Sequence, residues 1–260
     1  MEQLNKNELP IAVIDSGVGG ISVLRELLRI LPNESFLYYG DSKNAPYGSK
    51  EKEEVLAITK KNLEMLQSIG IKALVVACNT ATSAAVRILR QEHPELVIVG
   101  IEPAIKPPAD QLDHPRVLVM ATPLTLKEEK FKRLVERYSN REEIIPLPCP
   151  HLAEMIESGK IEGEEIDEYI ASLLEPYRDQ GIDALVLGCT HYPHVIEIIE
   201  RHVPTTTRIF DGGEGTARET HRRLEIAGLL NPRTAGGTVE ILNSANDQRM
   251  IELSQKLLFK

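Results

Sequence analysis

The sequence predicts an α/β protein of two similar parallel-sheet α/β domains, related by a pseudo-twofold, with the active site in the interdomain cleft. The main observation is a repeat. Residues 70–80 and 181–191 each read as a glycine, an aliphatic run, a small residue, a cysteine and a polar pair. Each run is typical of a buried strand in a parallel sheet, where ligands bind at the carboxyl ends of the strands. Cys78 and Cys189 are therefore expected at two matched strand ends that face one cleft.

The predicted first domain begins with an aliphatic strand at residues 11–14. A Gly-rich turn, Asp15 to Gly20, leads into a helix with apolar residues at helical spacing, so a strand–turn–helix unit opens a parallel sheet. Gly70 is expected to end a long helix, because glycine readily adopts the conformation found at helix ends. Further strands are predicted at 35–39, in the first repeat copy and at 96–101, and further helices at 50–69 and 80–92.

A second cycle begins with a strand at residues 117–120, which resembles residues 11–14 at an offset of 106 positions. Thr125 and Thr216 each precede a glutamate by three positions, the spacing of a capping box, and each is expected to open a helix. Other strands are predicted at 144–147, in the second repeat copy, at 208–210 and at 238–243, and other helices at 152–158, 164–180, 193–202 and the C-terminus.

The crossovers between the two domains are expected at the Pro-rich residues 103–108 and near residues 205–208. The segment after the second crossover has too few elements for a third domain, so it is expected to return to the first. The first domain is then residues 1–101 plus 208–260 and carries Cys78. The second is residues 102–207 and carries Cys189.

The composition limits the partners of the protein. Its 260 residues are 42% hydrophobic and 27% charged. The net charge is −9 and the sequence has no Lys/Arg-rich block, which argues against nucleic acid or an anionic membrane as partner. The N-terminus has no apolar segment typical of a signal peptide, and no apolar run approaches the ~18 residues of a membrane span. Three cysteines do not form a disulfide framework, so a reduced, cytoplasmic protein is expected.

The two repeat thiols allow three kinds of chemistry. A covalent nucleophile needs one cysteine and a histidine base, which leaves the second thiol unexplained. A metal site would use Cys149, His151, Cys189 and His191, with His194 nearby, but the familiar Cys-x2-Cys spacing is missing. Paired acid–base chemistry uses both thiols on opposite faces of one carbon, and the pKa of a thiol is adjustable toward neutrality.

Each of these residues also has a purely structural interpretation. A buried cysteine is usually a small hydrophobic residue, and Cys149, without a repeat partner, is expected to be one. His194 is expected to face solvent or to pack against other residues. A role as a helix cap is sufficient to explain Thr125. The Gly-rich turn can hold an anion or can be a tight connection. Small polar residues at strand ends can hold carboxylates without arginine, and these are Ser16, Asn79, Thr80, Thr122 and Thr190.

Four blocks of the sequence resemble the glutamate racemase family, in the family's order. They are Asp15-Ser16-Gly17-Val18-Gly19-Gly20, Pro46-Tyr47-Gly48, Ala77-Cys78-Asn79-Thr80-Ala81 and Gly188-Cys189-Thr190-His191-Tyr192-Pro193. The resemblance implies interconversion of L- and D-glutamate without a cofactor or metal. It implies D-glutamate supply for peptidoglycan, hence for cell wall biogenesis and cell shape, and a homodimer. An aspartate racemase and an amino-acid-binding module without turnover are the alternatives.

The resemblance also implies residue roles. Cys78 would act on the α-proton of D-glutamate with help from Asp15, and Cys189 on that of L-glutamate with help from His191. A further carboxylate near Cys189 maps to Glu157, with Glu154 as the alternative. The residues expected to bind substrate are Asp15, Ser16, Tyr47, Gly48, Asn79, Thr80, Thr122, Thr190 and His191. Residues 127–130 and 243–247 depart from the family pattern.

Overall fold

The protein contains two separate parallel sheets. The structure, a computed structural model, describes residues 5–234 and 236–259. The predicted domain ends at residues 1 and 260 therefore lie outside the described residues. So do the first four residues of the N-terminus, which is expected to lack a signal peptide. The first sheet has the order β4-β3-β1-β2-β9. Its strands are β1 (Ile11–Asp15), β2 (Phe36–Gly40), β3 (Ala73–Val76), β4 (Val97–Gly100) and β9 (Val239–Asn243).

The second sheet repeats the strand order of the first. It has the order β6-β5-β7-β8. Its strands are β5 (Arg116–Ala121), β6 (Glu143–Pro148), β7 (Ala184–Leu187) and β8 (Arg208–Asp211). Read from the other edge, β8-β7-β5-β6 corresponds strand for strand to β4-β3-β1-β2, and β9 is an addition to the first sheet. The predicted fold class, two parallel-sheet α/β halves with a pseudo-twofold and a cleft, is confirmed.

The strand β8 begins at the predicted domain boundary, residue 208, but it belongs to the second sheet. Its residues pair in parallel with β7, as in Leu185 with Ile209. The chain returns to the first sheet only afterwards, and β9 pairs with β2. The division into two domains stays a prediction, and sheet membership moves its second crossover from before Arg208 to after Asp211.

Helices connect the strands and cover both sheets. They are α1 (Ile21–Ile30), α2 (Lys52–Ile69), α3 (Asn79–Ala81), α4 (Arg87–Glu92), α5 (Lys106–Gln111), α6 (Pro123–Lys127), α7 (Glu129–Tyr138), α8 (Leu152–Glu157), α9 (Glu164–Leu174), α10 (Ile196–Arg201), α11 (Gly213–Ile226) and α12 (Gln248–Leu258). The predicted helix at 80–92 is a continuous run in which a π-helical turn, Thr82–Val86, separates α3 from α4. Gly70 ends α2 with a φ of 98°, as predicted.

The two predicted capping boxes are wrong. Thr122, not Thr125, caps α6: its hydroxyl accepts the Thr125 N–H at 3.3 Å, and Pro123 starts the helix because its fixed φ suits the first turn. Thr216 lies inside α11, where its hydroxyl donates to the carbonyl of Gly212 at 2.7 Å. The cap of α6 therefore lies three residues earlier than the sequence spacing predicts, and the cap of α11, Gly212, lies four residues earlier.

The core is aliphatic and continuous with the strands that carry the repeat. Every residue of β1, β3 and β7 is buried, as expected of central strands covered by helices on both faces. None of the helices in residues 5–234 and 236–259 is long and apolar enough to cross a membrane. The buried strands fix where the polar residues that follow them project.

Candidate active site

A cavity of about 350 Å³ lies between the carboxyl ends of the two sheets. Ser16 follows β1 and Thr122 follows β5, at equivalent places in the two halves. Cys78 and Cys189 likewise stand two positions after the ends of β3 and β7. All four line the cavity, so the predicted meeting of both thiols at one cleft is observed.

The cavity brings together nearly all of the residues predicted for the site. Both thiols, Glu157 and Glu154 line it. The predicted substrate-binding residues that line it are Ser16, Tyr47, Gly48, Asn79, Thr80, Thr122, Thr190 and His191. Asp15 does not. Its buried carboxylate accepts the Gly17 N–H at 3.0 Å and the Thr190 hydroxyl at 3.0 Å, so it orients a cavity residue from behind.

Cys78 lies at the N-terminus of α3. Its Sγ accepts the Ala81 N–H at 3.5 Å, which is a capping contact. Burial, followed by the negative charge of Asp15, raises the pKa of the Cys78 thiol to about 12. Within the part of the chain that the structure describes, Asp15 makes no hydrogen bond to Cys78. Asp15 therefore acts on the Cys78 thiol through its charge, which favours the protonated form.

Cys189 has a histidine and a carboxylate beside it. The Sγ of Cys189 lies 3.6 Å from Nδ1 of His191, and Nε2 of the same ring lies 2.6 Å from Oε1 of Glu157. Burial lowers the pKa of His191, but its contacts with Cys189 and Glu157 outweigh this and raise that pKa well above the ordinary value. Glu157, rather than Glu154, is the carboxylate in contact with the ring.

The Gly-rich turn after β1 approaches this group closely. The Val18 N–H donates to Oε1 of Glu157 at 2.6 Å. A Cβ on Gly17 would lie 1.7 Å from that oxygen, and a Cβ on Gly19 would lie 2.4 Å from Nδ1 of His191. The turn thus holds an anion that belongs to the protein itself, and its glycines let the two halves meet.

Three threonine hydroxyls that line the cavity bridge the two halves. Thr80 lies 3.2 Å from both Thr122 and Thr125, which are 2.9 Å from each other. Thr125 is buried and lines the cavity, so it is a cavity residue and not a helix cap. The sequence signal for it is the Thr-Pro pair at Thr122, which moves the helix start and turns Thr125 inward.

Two predicted substrate contacts differ in how free they are. The Tyr47 hydroxyl donates to Asp41 at 2.6 Å, so this residue offers the cavity its ring and backbone. Asn79 is buried, and its Oδ1 has no hydrogen-bond partner among residues 5–234 and 236–259. A buried acceptor without a partner costs free energy, and an N–H donor entering the cavity would satisfy it.

The remaining thiol and histidine are also buried. Cys149 lines the cavity, its Sγ donates to the Leu147 carbonyl at 3.4 Å, and burial raises its pKa to about 12. His194 packs with Nε2 3.2 Å from the Gly19 carbonyl, and burial lowers its pKa to about 4. Among the residues that the structure describes, no group of three or more His, Cys, Asp or Glu is arranged to hold a metal ion.

The fold and the paired strand-end thiols define a class of protein. A model of the Asp/Glu/hydantoin racemase family matches residues 11–220. The chain belongs to this family, whose members are isomerases. The predicted relation to glutamate racemases is also confirmed, because the chain matches many of them along nearly its whole length.

Two relatives and two solved structures show this similarity. The chain is 46% identical to glutamate racemase of Clostridium botulinum strain Alaska E43, over 98% of this chain and 99% of the relative. It is 49% identical to that of Clostridium acetobutylicum, over 96% and 97%. The Francisella tularensis glutamate racemase in complex with D-glutamate superposes with a TM-score of 0.84 at 26% identity, over 98% of this chain and 95% of that one. The Escherichia coli enzyme with L-glutamate and the activator UDP-MurNAc-Ala gives 0.84 at 29%, over 96% and 95%.

Proposed function

We propose that the protein interconverts L- and D-glutamate by moving the α-proton between two thiols, without a cofactor. The observation that carries the proposal is one cavity lined by Cys78 and Cys189 from equivalent strand ends of two similar sheets. The similarity to glutamate racemases along the whole chain supports the choice of substrate. Aspartate is the alternative substrate, and its side chain is one methylene shorter.

The proposed reaction breaks one Cα–H bond and forms another on the opposite face. From L-glutamate, the Cys189 thiolate takes the α-proton while the Cys78 thiol donates its own proton to the opposite face. When D-glutamate leaves, Cys189 is a thiol and Cys78 is a thiolate. From D-glutamate the two thiols exchange roles. The pKa of about 12 of Cys78 supports its role as donor, because the thiol is protonated before substrate arrives.

His191 and Glu157 support Cys189 in this proposal. The protonated ring donates to the sulfur and to the carboxylate at once, which keeps one N–H pointed at the reacting thiolate. Neutral imidazole has a single N–H and cannot donate to both. Asp15 contributes by holding the Thr190 hydroxyl, and its charge favours the thiol form of Cys78.

Substrate binding is proposed to use neutral groups. The free Oδ1 of Asn79 suits the α-ammonium group, since an ammonium is a donor only. The carboxylates would accept from backbone N–H groups at the strand ends, such as that of Thr190, and from the hydroxyls of Ser16, Thr80, Thr122 and Thr125. Among the described residues no arginine lines the cavity, and Lys50 and Lys127 are the lysines that do.

The proposal extends to the biological role of the protein. The D-glutamate formed would supply peptidoglycan, and the protein would act as a cytoplasmic homodimer. These claims rest on the relation to glutamate racemases. The division into two domains, with the second crossover after Asp211, is proposed because each half has its own sheet and supplies one thiol.

Incubation with L-glutamate in heavy water tests the proposal. We expect D-glutamate with one deuteron at Cα, because the donating thiol exchanges with solvent before each turnover. Proton NMR of the α-position measures this, and L-aspartate in a parallel sample is expected to turn over much more slowly. D-glutamate that keeps its original proton would exclude the two-thiol mechanism. No turnover of either amino acid would exclude a racemase of these substrates and favour a binding module.

A further inference from the structure

An ion pair joins the two halves beside the cavity. Nζ of Lys52, in the first turn of α2, lies 2.7 Å from Oε2 of Glu128, between α6 and α7. Helix α2 covers the first sheet, whereas α6 follows β5 of the second. Glu128 belongs to the segment 127–130, for which the proposed reaction has no use.

Sequence neighbours of both partners line the cavity. Lys50 and Glu51 line the cavity on the side of the first half, next to Lys52 in sequence. Lys127 lines it on the other side, next to Glu128. Gly48, which precedes Lys50 in the chain, packs against Thr122: a Cβ on Gly48 would lie 2.9 Å from Cβ of Thr122. The Lys52–Glu128 pair therefore spans the same opening that these residues border.

This pair differs from an ordinary surface pair because one of its partners is largely buried. The Glu128 side chain is only 10% exposed, and that of Lys52 is 42% exposed. Exposed pairs contribute little, but removal of one partner from a buried carboxylate leaves its charge uncompensated. The loss of Lys52 is therefore expected to move Glu128 toward water and away from the first half.

Glu128 is also tied to the helix that carries cavity residues. Its N–H donates to the Leu124 carbonyl of α6 at 3.2 Å, and its carbonyl accepts the Phe131 N–H of α7 at 3.0 Å. Thr122 caps α6 and Thr125 lies within it, and both line the cavity. A displacement of Glu128 thus displaces α6 and the two hydroxyls.

We propose that Lys52 and Glu128 are positioning residues whose ion pair holds the two halves closed over bound glutamate. The proposal rests on the proposed function for its ligand. A ligand that needs the closed form binds more weakly in proportion to the fraction of closed molecules. Loss of the pair therefore raises the concentration of glutamate required and leaves the saturated, closed complex able to react.

The test compares Lys52→Gln, Glu128→Gln and the charge-exchanged double variant K52E/E128K. Each single variant is expected to raise KM for both enantiomers, and Kd for D-glutamate by calorimetry, by roughly three- to tenfold, with kcat within about twofold. The double variant is expected to recover most of the loss. Lys60→Gln is the matched control. Lys60 lies two turns further along α2 and pairs at 2.6 Å with Glu92 of the same half, so KM should not change.

A second readout does not depend on turnover. Alkylation of Cys78 and Cys189, followed by mass spectrometry, should be faster in both single variants than in the wild type and in Lys60→Gln. Wild-type rates and wild-type KM in Lys52→Gln and Glu128→Gln would overturn the inference, and so would a double variant no better than the singles. If the wild type does not racemise glutamate but Lys52→Gln and Glu128→Gln are alkylated faster than the wild type, the proposed function is refuted and the role of the ion pair stands.

Discussion

The two halves of the molecule place their thiols alike and support them differently. Cys78 and Cys189 follow equivalent strands by the same two positions. Cys78 accepts a backbone N–H and lies near Ser16 and the charge of the buried Asp15, and its pKa is raised to about 12. Cys189 touches His191, which in turn touches Glu157. A repeated scaffold thus carries two chemically distinct thiols.

This difference follows from what the cavity must hold. Related halves present similar groups to both faces of a carbon atom, but an amino acid has four different substituents and does not share that symmetry. Burial and the charge of Asp15 both disfavour the thiolate of Cys78. His191 and Glu157 give the other side a charged partner of its own. Replacing one thiol, or the residues that support it, at a time separates the two roles.

The largest effect is expected from replacing either repeat thiol. Cys78→Ser and Cys189→Ser should each lower racemisation by roughly 10²–10⁴-fold, because each removes the acid–base group on one face. Circular dichroism at a fixed wavelength measures the change of enantiomer. In heavy water the variant that keeps Cys189 should still exchange the α-proton of L-glutamate, and the variant that keeps Cys78 that of D-glutamate. Exchange of the same enantiomer by both variants would contradict the assignment of faces.

A smaller effect is expected from Glu157→Gln, which changes the support of one thiol only. Contact with Glu157 helps to raise the pKa of His191, so the ring stays protonated to higher pH in the wild type. The variant should lose roughly 10- to 100-fold in kcat/KM, as expected for a charge-assisted hydrogen bond. The alkaline limb of its pH profile should move to lower pH.

Glu154→Gln is the control for this change. Glu154 also lines the cavity but makes no contact with His191 among the described residues, so its pH profile should match the wild type. NMR titration of the His191 ring in the empty protein measures its pKa directly. An equal shift in both variants would mean that cavity charge in general, rather than the Glu157 contact, controls the ring.

The sequence was sufficient for those parts of the molecule that depend on local pattern. Two aliphatic runs with the same flanks predicted two buried strands and the strand-end position of Cys78 and Cys189, because a parallel sheet places whatever follows its strands at one edge. Gly70 ended its helix as predicted. The capping boxes failed because spacing alone does not identify the first residue of a helix, and Pro123 began α6 earlier.

The parts that could not be predicted depend on contacts between the halves. Val18 and Glu157 are 139 positions apart, and their hydrogen bond is the reason for the glycines beside Val18. Lys52 and Glu128 are 76 positions apart, on helices of different halves. Neither pair has a local signature, since each depends on how two packed units meet rather than on the period of either one.

The smallest effect is expected from the third thiol of the cavity. Cys149 follows β6, a strand whose partner in the first half, β2, ends without a cysteine. It has no contact with a histidine among the described residues, and burial raises its pKa to about 12. Cys149→Ala should therefore keep kcat/KM within about threefold. It should lower the free energy of unfolding by about 1 kcal/mol, because a small buried group is removed. Denaturant titration measures the second quantity. A loss of racemisation as large as that of Cys78→Ser would show that position in the repeat does not select the reacting thiols, and that exposure to the cavity does.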